Sequence, residues 1–499
     1  MEKSFSIPFS RCNFMMRNTI CSAVLAAAIG LGFMAEPHGL EAAPASPIPV
    51  RGVIEGFYGK PWTQKQRADM LAFCGAHGLN AYIYAPKDDP YHRAKWREPY
   101  PESRLKKLAA LVREAQRCHV KFIFAVSPGL DFSYGPIKGA ADRKKLLEKL
   151  ESVYAIGVRD FAIFFDDITE KDGRGQAELL RWLDEHFVKK RGDVSPLVVV
   201  PTEYHLSDMQ GADGAAKSYT KEFSGGLPKD AMPLFTGEGV ARSGLSKETL
   251  DRAAAFYGRR LGIWWNYPVN DYMEEKLALG PMDELPSDAE IPAIFFNPMT
   301  YAEMSKIALS TGAACALAPD SYEPRAAWEE TIREQYGTLA PEMTLFAEHS
   351  WHLENHWANI GFPDGEELRA EMDEFWRAWP RGEDADARLA VLRQKFASLQ
   401  DAVRILRGEL PDKQRRECKR QLKQLERLAE ADIVALDTLE AIKMGDSKRA
   451  QKLRARLEKK LEKIVENEKK ARLSETVCRA FVEETLRYAA NEVAIRPIK

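Results

Sequence analysis

Short apolar runs alternate with longer amphipathic segments over the first two thirds of the chain, from about residue 48 to 320. The runs are rich in β-branched and aromatic residues. Segments between them, such as 103–118 and 144–156, repeat apolar residues at helical spacing. Strands that alternate with helices predict a parallel sheet. The strand-like runs number eight, at residues 49–54, 81–84, 121–126, 160–165, 197–200, 233–235, 262–265 and 293–296.

Eight strand–helix units in about 270 residues predict an α/β fold of the (β/α)8 TIM-barrel type. An open, doubly wound sheet is the alternative, but the first strand lacks the glycine-rich phosphate-binding pattern that typically follows it in such sheets. In a parallel barrel the carboxyl ends of all strands meet at one mouth. We therefore expect segments that are far apart in sequence to converge on one pocket there.

The pattern of apolar and polar residues changes after about residue 325, where strand-like runs stop. Long charged helices are predicted instead, at segments such as 415–443, 447–470 and 475–491. The Lys- and Glu-rich faces of these helices are most simply solvated surfaces. The alternative is that they bind a partner, which includes a homodimer through the helical region. We predict three parts: a leader and linker at 1–45, a catalytic barrel at 46–325 and an all-α helical bundle at 326–499.

The first 45 residues differ from the rest of the chain. Arg11 and Arg17 precede an apolar run at 20–34, and small residues follow at 41–45. This pattern predicts a cleaved signal peptide, and hence a secreted or periplasmic protein. A retained membrane anchor is the alternative, but about 15 apolar residues fall short of the ~20 that span a bilayer. The five cysteines beyond the leader are widely spaced, which predicts buried thiols and leaves a bridge between two of them open.

Composition and net charge limit the classes of function that are expected for this chain. The chain has 499 residues, of which 45% are hydrophobic and 29% charged, as expected of a globular protein. Its net charge of -2 gives no electrostatic argument for binding nucleic acid or an anionic membrane. The histidines show no metal-ligand spacing and no serine lies in a nucleophile elbow, so the sequence gives no sign of a zinc hydrolase or a serine hydrolase.

Two adjacent carboxylates, Asp166 and Asp167, directly follow the fourth apolar run. Neighbours within a strand point to opposite faces, so the pair is best placed where the strand ends and both side chains face the mouth. Two close carboxylates do not both ionise easily, which raises one pKa and provides an acid and a base, as in glycosidases. The alternative is a structural pair at a helix N-cap.

Aromatic residues crowd the same predicted mouth, where sugar rings pack on aromatic faces and sugar hydroxyls need amides and charged groups. The amide and charged candidates are Lys87, Asn266, Asp271 and Asn297. The aromatic candidates are Phe57, Tyr58, Trp62, Tyr204, Trp264, Trp265, Tyr267 and Tyr272. Together with the carboxylate pair, these residues favour a glycoside hydrolase.

Six blocks of sequence stand at the predicted strand ends: GVIEGFYGKPW (52–62), YAPKDD (84–89), FFDDI (164–168), PTEY (201–204), IWWNYPVNDY (263–272) and FNP (296–298). In this order and spacing they resemble glycoside hydrolase family 84, over about residues 48–310. This family contains the O-GlcNAcases and bacterial β-N-acetylglucosaminidases, some labelled hyaluronidases. The form Trp264-Trp265-Asn266 is similar to the bacterial members, since animal enzymes carry an acidic residue in the middle.

The resemblance implies a retaining mechanism in which the substrate's own 2-acetamido oxygen attacks the anomeric carbon and forms an oxazoline. By position in the family motif, Asp166 would orient the acetamide N–H. Asp167 would protonate the leaving oxygen and then deprotonate water. Tyr204 would hold the reactive geometry, and Trp264 would wall the acetamide pocket. The residues implied to bind the sugar hydroxyls are Gly56, Lys87, Asn266, Asp271 and Asn297. The resemblance implies neither a metal nor a cofactor.

The expected function is exo-acting hydrolysis of terminal β-linked N-acetylglucosamine from glycans or glycoproteins. Endo-acting hydrolysis of hyaluronan-like chains is one alternative, but the loops after the predicted strands show no strong basic cluster to bind uronic acids. A non-catalytic glycan-binding protein is the other. The presence of both aspartates together with the sugar-binding set favours an enzyme.

Overall fold

The computed structural model describes residues 48–495, and its centre is a closed barrel of eight parallel strands. The strands are β1 (Val50–Glu55), β2 (Ala81–Tyr84), β3 (Lys121–Val126), β4 (Asp160–Phe164), β5 (Val198–Val200), β6 (Met232–Phe235), β7 (Gly262–Trp265) and β8 (Ala293–Phe296). Strand β1 pairs with β2 on one side and with β8 on the other, which closes the sheet. The predicted barrel is confirmed, and closure excludes the open doubly wound sheet.

Helices fill most of the connections between strands. They are α1 (Gln64–Ala76), α2 (Glu102–Arg117), α3 (Pro136–Tyr154), α4 (Gly173–Leu183), α5 (Lys189–Arg191), α6 (Leu206–Met209), α7 (Ser218–Gly226), α8 (Lys247–Tyr257) and, after β8, α9 (Ala302–Leu317). Helix α3 begins eight residues before the start at 144 that periodicity predicted. Its first residue is Pro136, and proline is favoured at the first position of a helix.

One apolar cluster fills the barrel interior and ends beneath the mouth. Alanines such as Ala81, Ala125 and Ala162 leave room for large side chains such as Phe164 and Trp264. The rings of these last two lie 5.4 Å apart between centroids. Small and large side chains that interlock in this way fill the interior, so the barrel is a packed core and not a pore.

The region after the barrel is helical, as predicted. Its helices are α10 (Pro324–Tyr336), α11 (Ala340–Ala347), α12 (Glu366–Ala378), α13 (Ala385–Glu409), α14 (Asp412–Lys443), α15 (Ser447–Glu468) and α16 (Ala480–Ile495). The pattern did not predict two features. One is a two-stranded antiparallel ribbon of β9 (Leu353–Glu354) and β10 (Asn359–Ile360). The other is a π-helical turn, Glu475–Arg479, directly before α16.

The long helix α14 packs against the mouth side of the barrel. The Glu417 carboxylate accepts hydrogen bonds from the backbone N–H groups of Glu303 at 2.8 Å and Met304 at 3.0 Å. These two donors lie in the first turn of α9, where N–H groups have no partner within the helix. A side chain of the helical region therefore caps the last helix of the barrel.

A buried ion cluster ties the same two regions together. The Lys276 ammonium, in the loop between β7 and β8, lies 3.0 Å from Asp364 and 2.8 Å from Glu475. Asp364 also accepts hydrogen bonds from the backbone of Trp351 and His352. Burial opposes the charge of Lys276, but the two carboxylates outweigh burial and raise its pKa.

The predicted leader at 1–45 lies outside the described residues. Within residues 48–495, no helix combines the length and apolar character needed to cross a membrane. The five cysteines beyond the leader are free thiols, of which Cys118 alone is partly exposed.

We expect Lys276→Met to destabilise the fold by about 3–5 kcal/mol, because it leaves the buried Asp364 carboxylate without its cation. Urea denaturation at neutral pH measures this loss as a lower midpoint. The matched control is Lys106→Met, which breaks an ion pair with Glu102 in which both side chains are largely exposed. Such surface pairs contribute little, so its midpoint should match that of the wild type. Equal urea midpoints for the two variants would contradict a stabilising role of the buried ion cluster at Lys276.

Candidate active site

A pocket of about 500 Å³ opens at the carboxyl ends of the barrel strands. It contains all nine site residues that the sequence predicted: Gly56, Lys87, Asp166, Asp167, Tyr204, Trp264, Asn266, Asp271 and Asn297. These residues follow or end six different strands. The remaining lining is Tyr58, Val200, Leu234, Phe235, Thr236, Val240, Ala241, Val269, Tyr272 and Trp357.

Lys87 lies between the two adjacent carboxylates. It follows strand β2, whereas Asp166 and Asp167 follow β4, two strands away in the barrel. The Lys87 ammonium forms a buried ion pair with Asp166 Oδ2 and lies 3.9 Å from Asp167 Oδ2. A lysine side chain this buried needs a partner, and Asp166 supplies it.

Asp167 is held at the end of β4 in an uncommon backbone conformation. Its φ is 55°, the left-handed region, which costs a residue other than glycine roughly 1–3 kcal/mol. The Arg93 guanidinium donates to the Asp167 carbonyl at 2.8 Å. The hydroxyls of Tyr58 and Tyr204 each donate to the Asp167 carboxylate at 2.8 Å. The turn directs this carboxylate into the pocket, and the three hydrogen-bonding neighbours hold the residue there.

The charge around Asp167 favours its ionised form. Burial raises the pKa of Asp167, but the Lys87 charge and the hydrogen bonds from Tyr58 and Tyr204 outweigh burial and bring it below the ordinary value. The sequence argument considered only the repulsion between the two carboxylates, which raises one pKa of the pair, and it did not foresee a lowered pKa at Asp167. The reason is the position of Lys87, whose positive charge offsets the mutual repulsion.

Asp166 presents an acceptor atom to the pocket. Its Oδ2 atom is occupied by Lys87, whereas Oδ1 is buried and has no hydrogen-bond partner among residues 48–495. The residue is 5% exposed and lines the pocket. A buried acceptor without a donor costs free energy, so this position suits a ligand that carries an N–H or O–H group.

A chain of amide hydrogen bonds shapes the opposite wall. The Gly56 N–H donates to Asn297 Oδ1 at 3.2 Å, and Asn297 Nδ2 donates to Asn266 Oδ1 at 3.0 Å. Asn266 Oδ1 also accepts from the Trp264 indole N–H at 2.8 Å. Asn266 Nδ2 donates to the Val240 carbonyl at 2.9 Å. Each amide side chain keeps one N–H that could be donated to a ligand hydroxyl.

Asp271 adds a third carboxylate to the pocket. Its Oδ2 atom accepts from the Tyr58 backbone N–H at 2.7 Å. Burial, reinforced by the charge of Asp167, raises the pKa of Asp271. Its Oδ1 atom can accept a hydrogen bond from a sugar hydroxyl.

Sequence reasoning missed two residues of this site, Arg93 and Trp357. It named Tyr58 only as an aromatic residue of the mouth and did not predict that Arg93 and the Tyr58 hydroxyl hold Asp167. Arg93 lies in the loop after β2, six residues beyond Lys87. Trp357 comes from the ribbon of β9 and β10, and its ring packs on Tyr272 at 4.6 Å between centroids. A useful signal was the cluster of aromatic and histidine residues at 349–362, which lacks helical periodicity.

The ribbon reaches the pocket because it pairs with a barrel loop. The Asn359 N–H donates to the Ala241 carbonyl, and the Ser243 N–H donates to the Asn359 carbonyl, both at 3.0 Å. Ala241 lines the pocket in the loop after β6. A segment beyond the predicted barrel boundary at 325 thus completes its wall.

Two protein families match this chain. The family described as beta-N-acetylglucosaminidase matches residues 51–348, more than half of the chain. The chain belongs to the β-N-acetylglucosaminidase family. A second family, described as hyaluronidase post-catalytic domain-like, matches residues 367–482, within the helical region.

Relatives of this β-N-acetylglucosaminidase family member include solved structures and curated proteins. The structure of CpGH84B is 36% identical with a TM-score of 0.83, over 88% of this chain and 77% of that chain. An O-GlcNAc hydrolase mutant from Thermobaculum terrenum is 26% identical with a TM-score of 0.80, over 90% of this chain and 96% of that chain. Protein O-GlcNAcase from Mus musculus is 29% identical over 269 residues. That match covers 52% of this chain and 29% of the mouse protein, so the chain spans less than a third of this relative's length.

We expect Gly56→Ala to displace Trp264 in this family member. A methyl group on Gly56 would lie 2.4 Å from Trp264 Cζ2, closer than packed atoms can approach. Overpacking of this kind costs about 1–3 kcal/mol. Thermal unfolding should show a lower midpoint for this variant, and a crystal structure should show a shifted Trp264 indole.

The control for this prediction is Gly225→Ala on helix α7, where nothing lies within 4 Å of the added methyl group. Alanine is the better helix former, so this change should leave the midpoint equal or slightly higher. An unmoved Trp264 in Gly56→Ala would contradict the prediction.

Proposed function

We propose that this chain is a retaining, exo-acting β-N-acetylglucosaminidase that removes terminal β-linked N-acetylglucosamine from glycans or glycoproteins. The observation that carries the proposal is the unpartnered Asp166 Oδ1 atom beside the carboxylate of Asp167. A 2-acetamido group supplies the N–H donor that this atom lacks. Plain glucose has only a hydroxyl at that carbon and no amide to orient.

The first step breaks the glycosidic bond. The acetamide carbonyl oxygen attacks the anomeric carbon, while Asp167 transfers its proton to the leaving oxygen and becomes a carboxylate. Asp166 accepts a hydrogen bond from the acetamide N–H, which becomes more acidic as the oxazoline forms. Holding the acetamide in line replaces an enzyme nucleophile and contributes up to ~7–11 kcal/mol in favourable cases.

The second step reverses the roles of acid and base. The Asp167 carboxylate removes a proton from water, the water oxygen bonds to the anomeric carbon, and the carbon–oxygen bond of the oxazoline breaks. Two displacements at one carbon give retention of configuration. General acid–base assistance of this kind contributes roughly 10²–10⁴-fold.

The remaining pocket residues bind and orient the sugar. Trp264 forms the wall beside the acetamide, and Tyr204 holds the reactive geometry next to Asp167. The residues proposed to bind the sugar hydroxyls are Gly56, Lys87, Asn266, Asp271 and Asn297. The pocket opens at the mouth of the barrel, which suits removal of one terminal sugar.

Substrate binding also favours the acid form of Asp167. Two tyrosine hydroxyls donate to its carboxylate and stabilise the anion. A glycosidic oxygen that replaces one of them removes a donor and adds an acceptor. The pKa of Asp167 then moves upward, toward the value that an acid catalyst needs.

We also propose that the chain is exported and that the leader at 1–45 is removed, on the basis of its basic start, apolar middle and small-residue end. Recovery of the exported protein with its leader intact would contradict removal. A homodimer through the helical region stays a prediction.

The variant Asp167→Asn tests the function. We expect its activity to fall by about 10²–10⁴-fold on an N-acetylglucosaminide with an alkyl leaving group, because such a group needs a proton to depart. Activity should fall much less on a dinitrophenyl N-acetylglucosaminide, whose leaving group departs unaided. The release of free N-acetylglucosamine measures both.

The matched control for this variant is Asp172→Asn, which changes a carboxylate at the start of α4 that does not line the pocket. It should retain wild-type activity on both substrates. Equal losses of Asp167→Asn on both leaving groups would rule out the acid role. Cleavage of hyaluronan without monomer release would instead favour endo-action.

The variant Tyr204→Phe tests how the pocket sets the acidity of Asp167. Removing a donor to the anion raises the pKa of Asp167, so the acid stays protonated to higher pH. The basic limb of kcat/KM, which reports the free enzyme, should move to higher pH even as activity falls. Tyr272→Phe is the control, because Tyr272 lines the pocket and its buried hydroxyl forms no hydrogen bond to Asp167. A basic limb that stays in place or moves to lower pH in Tyr204→Phe would contradict the assignment.

A further inference from the structure

A second cavity lies far from the pocket in sequence, between helices α14 and α15, and we call it the basic groove. It has a volume of about 740 Å³ and is lined by Arg427, Glu430, Lys452, Ala455, Arg456, Lys459, Lys460 and Lys463. Six of these eight residues are basic. The single acid, Glu430, is paired with Lys460 at 2.8 Å and leaves the other charges uncompensated. Positive charge is concentrated here although the whole chain carries -2.

Four cations of the groove have no partner inside the described chain. Lys452, Arg456, Lys459 and Lys463 are exposed, and none forms an ion pair or side-chain hydrogen bond within residues 48–495. The nearby Arg454, by contrast, pairs with Glu458 at 3.0 Å. Unpaired cations are therefore confined to one side of α15.

The spacing of these four cations places them in one row. Intervals of four, three and four residues bring side chains to the same face of a helix, along about 16 Å of α15. Like charges at such spacing repel each other and destabilise a helix. No ion pair within the described residues neutralises these four cations, whereas a bound polyanion would.

Helix α14 extends the row toward the barrel. Arg416, Arg420 and Lys423 are exposed and share the helical face of Arg427. Contacts of Gln424 place this part of α14 beside the end of α15: its side chain donates to the Ile464 carbonyl at 3.0 Å and accepts from Asn467 at 2.8 Å.

The near end of this row lies at the mouth side of the barrel. Glu417, one residue from Arg416, caps the first turn of α9, which follows the carboxyl end of strand β8. Gln421 donates to the carbonyl of Glu275 in the loop after β7 at 3.3 Å. The cations thus run from the tip of the helical hairpin to the rim that carries the pocket.

We propose that the basic groove and its extension on α14 bind an acidic polysaccharide, a linear sugar chain that carries carboxylate or sulfate groups. The choice of a polysaccharide rests on the proposed function, since such a chain could present terminal sugars to the pocket. The groove contains no aromatic side chain on which single-stranded nucleic acid could stack. It also contains no large apolar residue that would enter a membrane.

The width of the groove favours a single extended chain. Packed helices lie about 8–10 Å apart between axes, so a groove between two of them admits one strand and is narrower than a nucleic-acid duplex. The enzyme would then act on sugars whose carrier is negatively charged. Binding at the groove would raise the local concentration of substrate without a change at the pocket.

Titration of the full chain with fluorescein-labelled chondroitin sulfate tests this proposal, with anisotropy as the readout at about 50 mM salt, where ionic contacts are strong. The groove variant carries Lys452→Ala, Arg456→Ala, Lys459→Ala and Lys463→Ala. The control variant removes the same charge from four exposed lysines on barrel helices: Lys65→Ala, Lys144→Ala, Lys190→Ala and Lys221→Ala.

We expect the groove variant to raise Kd at least about tenfold and the control variant to change it by less than about twofold. The slope of log Kd against log salt should fall only in the groove variant, because fewer counterions are released there. A variant that keeps the charges, with Lys452→Arg, Lys459→Arg and Lys463→Arg, should bind as the wild type does. All variants alter exposed residues and should hydrolyse an aryl N-acetylglucosaminide at the wild-type rate.

Several results would overturn the proposal. They are equal weakening in the groove and control variants, equally tight binding of neutral dextran, and tighter binding of a DNA duplex or anionic vesicles than of chondroitin sulfate. Binding with the expected variant pattern but without hydrolysis of the aryl substrate would reject the proposed function and leave the polyanion site standing. Hydrolysis without groove-dependent binding would reject the site alone.

Discussion

The closed parallel barrel brings the carboxyl ends of all eight strands to one rim, and every contact in the pocket depends on that constraint. Lys87 and Asp166 are separated by 78 intervening residues, yet β2 and β4 both flank β3 and deliver them to one point. Both side chains are buried, so each requires the other. A shift in the pairing register of either strand would separate them and leave two uncompensated charges inside the protein.

Negative charges outnumber positive charges in the pocket, and this excess suits the proposed cleavage of a glycosidic bond. Three carboxylates, on Asp166, Asp167 and Asp271, face one lysine ammonium from Lys87. Positive charge develops on the sugar ring as the glycosidic bond breaks, and an excess of nearby negative charge stabilises it. The Lys87 ammonium reduces the electrostatic repulsion among these three carboxylates. The same ammonium holds Asp166 in place, and the other carboxylate oxygen of this pocket residue stays without a hydrogen-bond partner in the described chain.

Much of the barrel and of the pocket could be predicted from sequence, for a specific reason. Strands such as Ala81–Tyr84 and Gly262–Trp265 are short apolar runs that end abruptly at polar or special residues, and their bounds agree with the structure residue for residue. The pocket residues follow directly from these ends. The acidity of Asp167 could not be predicted, because it depends on the three-dimensional position of Lys87 and of two tyrosine hydroxyls.

The ribbon was missed because its strands contain two residues each, too few for any alternation to be visible. Hydrophobic periodicity reveals regular helices and strands. This ribbon instead depends on long-range pairing of Asn359 with the barrel loop at Ala241. Arg93 was missed for a related reason. Its contacts are with a backbone carbonyl and a tyrosine hydroxyl, so nothing in its own neighbourhood marks it.

The helical region is therefore part of the catalytic structure. Glu417 caps α9, Lys276 is neutralised by acids from beyond the barrel, and Trp357 completes the wall of the pocket. A region attached this firmly moves with the barrel, so a ligand held on α14 and α15 would keep a fixed direction relative to the mouth. Flexible attachment would give only proximity, whereas rigid attachment also gives orientation. Rigid attachment would therefore allow the proposed polyanion site, which starts at the rim, to direct an extended substrate toward the pocket.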